Sequence, residues 1–396
     1  MNLSYWEQKQ WLQNIDFAIV GSGIVGLSTA LFLKQRFPKS NITILEKGIL
    51  PQGASTRNAG FGCFGSLSEI LDDLKSHSEA EIIQLVKERV DGLQLLRQTL
   101  GDSNIDYKAH GGYELFLEKD ALIYESCLEE MSRINSLLAF LFKSDIYHKV
   151  SDRFHFSKVK KQYIYNKFEG QLDPGKMMQA LLQRVQKSGV KILNNVAVES
   201  YEDLNHSVKI KTDAFELNTQ NLILTTNGFT NALLPIDLSP ARAQVLITKP
   251  IQNLEIKGTF HMDCGYYYFR NVDYRILIGG GRNLDFQTES TNEFGKTELI
   301  QSSLKKLLNT VIIPEKEFEI DYSWSGIMGV GEKIENLEVF HPDRIANRIL
   351  GMGDIVSLVE KAAQDLGEEN IKKAEENLKK GQFSMQDYLS QLRQMK

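Results

Sequence analysis

The sequence predicts an α/β protein in which a parallel, glycine-turn unit at the amino end is interleaved with an antiparallel sheet and followed by a helical tail. Three observations carry that expectation. A strand-sized apolar run meets a glycine-spaced turn and then a helical pattern. A second strand follows and closes on an acid. Later apolar runs alternate with the period of a half-buried strand.

The first element is the apolar run Asp16–Val20, which enters Gly21-Ser-Gly23-Ile24-Val25-Gly26 and then the helical pattern Leu27–Lys34. The second strand, Asn41–Glu46, ends on an acid 20 residues beyond Gly26. Gly21 permits the tight turn, Gly23 lets a pyrophosphate approach the backbone, and Gly26 lets helix and strand pack closely. The helix start then offers free N–H groups to phosphate. Glu46 can accept hydrogen bonds from both ribose hydroxyls and repels a 2′-phosphate, so the ligand is expected to be a dinucleotide with an unphosphorylated adenosine.

Composition sets the outer limits. With 396 residues, 42% hydrophobic and 24% charged, the chain can bury one or two cores. Lys plus Arg total 46 against 51 Asp plus Glu, a net charge of −5, too balanced to mark a nucleic-acid or membrane surface. Cys63, Cys127 and Cys264 are far apart and form no CxxC pair, which fits a reducing cytoplasm. The first residues lack the basic and apolar regions of a signal peptide, and no run approaches a membrane span. No HxxxH or HExxH spacing occurs among the seven histidines, so no metal site is expected.

A second small, polar loop, Gly53-Ala-Ser55-Thr56-Arg57-Asn58-Ala59-Gly60, follows the acidic strand almost at once. With this loop the sequence resembles the FAD-dependent amine and amino-acid oxidoreductases that include D-amino-acid oxidase, glycine oxidase and sarcosine oxidase, and most of all their γ-glutamylputrescine oxidoreductase-like branch. The resemblance implies a Rossmann-like FAD domain, mainly 14–110 and 170–235, and a substrate domain, mainly 111–169 and 236–325. It implies FAD contacts from Gly21, Gly23, Ile24, Val25, Gly26, Glu46 and Lys47, and from Ser55, Thr56, Arg57, Asn58, Ala59 and Gly60 under the pyrophosphate and flavin edge. It also sets the backbone of Val198 against the adenine, and Thr225, Thr226, Asn227 and Gly228 near the cofactor. The partner it implies is a small amine or amino acid; the electron acceptor stays open.

Between these segments the pattern is helical over 68–101, strand-like over Gly111–Leu117, and mixed from Lys119 to Val150, read as a substrate-domain helix. Ala241–Thr248, Tyr266–Arg270 and Arg275–Gly281 resemble strands of the family's antiparallel sheet. Alternation puts Tyr266, Tyr268 and Arg270 on one face and Tyr267 and Phe269 on the other, either of which faces the flavin or packs as core. Trp324-Ser-Gly326 resembles the family's substrate-side Trp-x-Gly element. In the amino-acid oxidase branch an arginine follows; here Ile327 and Met328 stand in its place, which favours an amine, while Arg270 still offers a carboxylate clamp. Tyr266, Tyr268, Arg270 and Trp324 are thus the candidate catalytic residues.

From about Gly331 the chain resembles the bacterial signal recognition particle GTPase where it passes into its methionine-rich domain, and the likeness runs through Phe383–Met395. Glu368/Lys372, Glu369/Lys373, Glu375/Lys379 and Glu376/Lys380 are helix-favouring pairs, so 331–396 is expected to be a helical tail. A hybrid joined near Met328–Lys333 is one reading. The other takes Asn347–Gly353 and Asp354–Ala363 as the family's closing strand, loop and helix. The P-loop motif of the GTPase is absent, and nucleic acid is not expected as a partner.

Overall fold

The computed structural model describes residues 3–330. The predicted tail, the alternative closing element at 347–363 and all of the Met328–Lys333 junction beyond Val330 lie outside the described residues.

Near-continuous apolar runs make a parallel sheet buried on both faces. Ile15–Val20 and Ile42–Glu46 are such runs, the second buried at every position. They pair in parallel, Ile42–Glu46 also taking Lys191–Asn194 and Ile15–Val20 taking Glu216–Leu224. Antiparallel Val208–Thr212 and Val198–Asp203 complete six strands. The Ile24–Arg36 and Pro174–Lys187 helices pack on one another. Asp173 starts the second helix by accepting from the Lys176 N–H, with Pro174 in the first turn.

The second sheet has eight strands in the order Ile320–Val330, Ser239–Thr248, Arg275–Gly280, Tyr267–Val272, Thr259–Met262, Gly112–Leu115, Gln162–Asn166 and Tyr147–Ser151. Its pairs are antiparallel except Thr259–Met262 with Gly112–Leu115. One face holds Tyr113, Leu246, Phe260, Phe269 and Ile278 in an apolar core with Ile300 and Leu304 of the Glu298–Leu307 helix. Segments of the two sheets alternate along the chain, because residues 54–173 leave the parallel sheet after its second strand and residues 191–224 return to it.

Three sequence expectations change in detail. The helical pattern of 68–101 is two helices, Leu67–Asp73 and Glu79–Leu100, because Ser78 and Glu81 form a capping box that starts a new one. The Lys119–Val150 segment is a helix only over Ala121–Phe142; Lys143 turns left-handed at φ 56° and the chain continues as the edge strand Tyr147–Ser151. Tyr266 lies outside its strand, which begins at Tyr267: the turn that brings the Gly281 N–H to the Tyr266 carbonyl leaves the ring exposed against Phe286.

Candidate active site

The carboxyl ends of the parallel strands build a cradle mostly from backbone. Gly21 has φ +103°, and a Cβ there would lie 2.8 Å from the Thr225 carbonyl oxygen. A Cβ on Gly26 would lie 2.1 Å from the Gly21 carbonyl oxygen, so only glycine lets the helix come this close. Thr225 closes the far side, donating from Oγ1 to the Val20 and Gly21 carbonyls at 2.8 and 3.1 Å. Gly23 is the N-cap of the Ile24–Arg36 helix and gives it no side-chain cap, which leaves N–H groups of the first turn for a ligand. Ile24 is half-buried beside this opening and Val25 is exposed.

Glu46 is buried and aimed at this turn. Its Oε2 accepts from the Ser22 N–H and hydroxyl at 2.8 and 2.6 Å, and its Oε1 from the Gly48 N–H at 2.9 Å. Lys47 beside it is exposed. Val198 begins its strand two residues after Val196, whose N–H donates to the Glu46 carbonyl at 2.9 Å.

The second loop is seated on the first. Ser55 Oγ accepts the Ile24 N–H at 2.9 Å, and a Cβ on Gly23 would touch that same oxygen at 3.1 Å. The loop is tied to itself by Thr56, which donates to the Pro51 carbonyl, and by Asn58, which donates to the Ser55 carbonyl and accepts from the Gly60 N–H. Trp324 Nε1 donates to the Arg57 carbonyl and Arg57 Nη1 to the Ser325 carbonyl, each at 2.9 Å, and the Arg57 guanidinium lies 4.2 Å over the Phe294 ring. Ala59 and Gly60 are buried at the end of the loop. Thr226 pairs with Thr230, whereas Asn227 and Gly228 dock on residues 327–329, with Asn227 Oδ1 accepting from the Gly329 N–H at 3.0 Å.

Beyond the loop stands the other face of the eight-stranded sheet. Cross-strand partners share a face, and the register Glu114–His261–Tyr268–Gly279–Val245–Trp324 forms one row across it. The Tyr268 and Val245 side chains lean over Gly279, where a Cβ would meet each of them within 2.6 Å. Phe61, the first residue after the loop, packs edge-on against both His261 and Tyr268, with centroids at 5.4 and 5.5 Å. Arg270 lies two residues along the same face. Tyr268 and Arg270 therefore face the loop while Tyr267 and Phe269 enter the core. Burial raises the Tyr268 hydroxyl to about 12.

Sequence reading missed a buried polar group beside Phe61. His261 Nε2 is 3.3 Å from Glu169, which is 1% exposed and also accepts from Asn166 and Thr259. Burial alone would push His261 down, but Glu169, with Glu69 and Glu114 farther off, raises it to about 9. Glu114 accepts from the Leu67 and Ser68 N–H groups and the Ser68 hydroxyl at a helix start, yet burial raises it to about 7. Glu114, Glu169 and His261, with Tyr147 and Asn166, line a narrow cleft. Positions 114, 169 and 261 share no sequence spacing; the one available signal was an acid inside the apolar strand Gly112–Leu115.

The glycine cradle, the inward acid and a helix start that Ser55 caps only at the Ile24 N–H have the features that suit an adenosine-ribose-pyrophosphate unit, those of a dinucleotide-dependent redox protein. Residues 16–354 match the family described as DAO, FAD dependent oxidoreductase, and the chain belongs to that family with FAD as its cofactor. Its fold is similar to glycine oxidase from Geobacillus kaustophilus, with a TM-score of 0.62 and 17% identity over 80% of this chain and 83% of that one. Iminodiacetate oxidase from Chelativorans sp. BNC1 is similar at a TM-score of 0.61 and 14% identity, over 80% of this chain and 84% of that one. A separate likeness is to the signal recognition particle protein of Escherichia coli strain K12, 56% identical over 70 residues, which are 17% of this chain. The chain spans only 16% of the length of that relative. Among the described residues no helix is long and apolar enough to cross a membrane.

Proposed function

We propose that the protein oxidises the C–N bond of a small amine or amino acid, with an amine favoured. When bound, FAD supplies the hydride acceptor. In this reading the Gly21–Gly26 turn and Glu46 hold the adenosine and pyrophosphate, and the Ser55–Gly60 loop carries the flavin edge to the sheet face of Phe61, Tyr268 and Trp324. Those rings exclude water from the reacting carbon and orient the amine, while Tyr266, on its exposed turn, lies outside the row. The 14–110/170–235 and 111–169/236–325 division and a cytoplasmic location belong to the same proposal; the three thiols, none of them in a disulfide, support the latter.

The observation that carries the amine preference is the engagement of Arg270. Its Nε donates to the Ala59 carbonyl and its Nη2 to the Leu172 carbonyl, and Ile327 and Met328 occupy the place after Trp324-Ser-Gly326. Both arginine positions that would grip an α-carboxylate are thus otherwise used or missing. Anaerobic addition of diamines, secondary amines and amino acids to the FAD-loaded protein tests the reading. Loss of the oxidised flavin absorbance with an amine is expected, and no bleaching by any of them contradicts turnover.

The 70-residue likeness to signal recognition particle protein supports a second reading. In it the chain is a hybrid joined near Met328–Lys333 that binds FAD without turnover, because the closing element of the FAD domain is replaced. The family match runs on to residue 354, past that junction, which favours the first reading.

A further inference from the structure

We infer that Arg270 is a positioning residue for the FAD loop: its guanidinium fastens the backbone carbonyls that fix where the Ser55–Gly60 turn lies. This rests on the assignment of that loop to FAD. Arg270 is 5% exposed, and among the described residues Asp173, Asp106 and Asp273 act on its charge while its side-chain hydrogen bonds go to peptide oxygens rather than to a carboxylate. A buried cation with no carboxylate in direct contact is costly unless its donors are matched. Here the match is to peptide oxygens, Ala59 O and Leu172 O, the second at 2.9 Å. Leu172 in turn donates its N–H to the Gly60 carbonyl at 2.9 Å, closing a triangle of Arg270, the loop end and Leu172.

The triangle has no slack. Gly60 has φ +72°, and a Cβ there would lie 2.2 Å from the Leu172 oxygen and 2.8 Å from Arg270 Nη2. The strand pair Phe61–Gly62 with Gly170–Gln171 follows immediately, so the clamp sets the register of that pair as well. Four residues earlier the loop is held by Trp324 and Ser325 through Arg57. The segment Arg57–Gly60 is therefore stretched between two fastenings, both on the antiparallel sheet, and the substrate sheet dictates where the flavin-edge loop sits. A planar guanidinium can address two carbonyls in fixed directions; a lysine ammonium serves as a single point.

Hydrogen exchange of the peptide spanning 53–62, measured on the full chain without FAD, tests the clamp independently of cofactor. Arg270→Met and Arg270→Lys are both expected to speed exchange there about tenfold while the Ile24–Arg36 helix is unchanged, because each loses the fork. Titration with FAD is expected to give dissociation constants about tenfold weaker for both, with the ratio of KM for amines to KM for amino acids unaltered. Unchanged exchange at 53–62 overturns the inference, as does faster exchange spread evenly over the chain, which would make Arg270 a packing residue. Recovery by Arg270→Lys with a selective KM rise for carboxylate-bearing compounds also overturns it and restores the substrate clamp. If the wild-type chain takes up no FAD, the cofactor assignment of the loop fails, and the exchange result still decides the clamp.

Discussion

The glycine-turn cradle and the facing sheet surface of this protein are made of different materials. The cradle at the first crossover is backbone, a glycine turn, a helix start and one acid within a 26-residue stretch, Gly21–Glu46. The facing sheet surface is side chains, Glu114, His261, Tyr268 and Trp324, that meet only because strands from distant parts of the chain lie in register. Backbone sites tolerate no added atom; side-chain sites tolerate some exchange but respond to protonation. Substitutions and pH should therefore act differently on the two.

The largest effect is expected in the cradle. Gly26→Val puts side-chain atoms against the Gly21 carbonyl, 2.1 Å from an ideal Cβ, and Thr225 Oγ1, 2.7 Å from it. Overpacking of this kind should cost about 3 kcal/mol of stability and abolish FAD binding; urea unfolding and flavin fluorescence check it. Full FAD affinity in this variant would show that the turn is not the phosphate site.

The sheet surface should respond to pH. His261, raised from 6.5 to about 9, contributes stability that is complete below about pH 6.5 and is lost as pH climbs through 9. Glu114, raised from 4.5 to about 7, binds a proton more tightly when folded, so its contribution falls as pH rises across that window. Both slopes have the same sign, and the His261 term is on the order of 3 kcal/mol. Urea midpoints across pH 4.5–9 should fall, with Glu114→Gln flattening the lower part and His261→Gln the upper. A flat profile in the wild type would mean that neither group titrates in the folded protein as described.

This division also explains what the sequence made legible. Gly21, Gly26, Glu46 and Ser55 stand at short, physically required spacings, and the structure brings them together as the Ser55–Ile24 contact illustrates. His261 and Glu169 are 92 residues apart and join only after Gly112, whose missing Cβ leaves room for the Glu169 carboxylate, is paired beside Thr259. Alternation separated Tyr268 from Phe269 correctly, but it could not say that Tyr266 would fall outside the strand, since the turn at Asp263–Tyr266 depends on pairing with Gly281. The break between the Leu67–Asp73 and Glu79–Leu100 helices was visible in Ser78 and Glu81, a signal masked by the apolar periodicity around it.

A smaller effect is expected where the two sides meet. Trp324→Phe removes the donor to the Arg57 carbonyl while keeping most of the ring, and should cost about 1 kcal/mol, weakening FAD about fivefold. Thermal unfolding with and without FAD checks it: the loss should be larger in the loaded protein. An equal loss in both forms would make Trp324 a packing residue with no hold on the loop.

The most direct test of the cofactor cradle is a titration of the FAD-free full chain with FAD, followed by flavin fluorescence, in the wild type and in Glu46→Ala. Saturable uptake by the wild type, at least tenfold weaker in the variant because the ribose partner is gone, is the predicted result. Absence of uptake by the wild type, or equal affinity in both, would contradict the placement of FAD at the Gly21–Glu46 crossover.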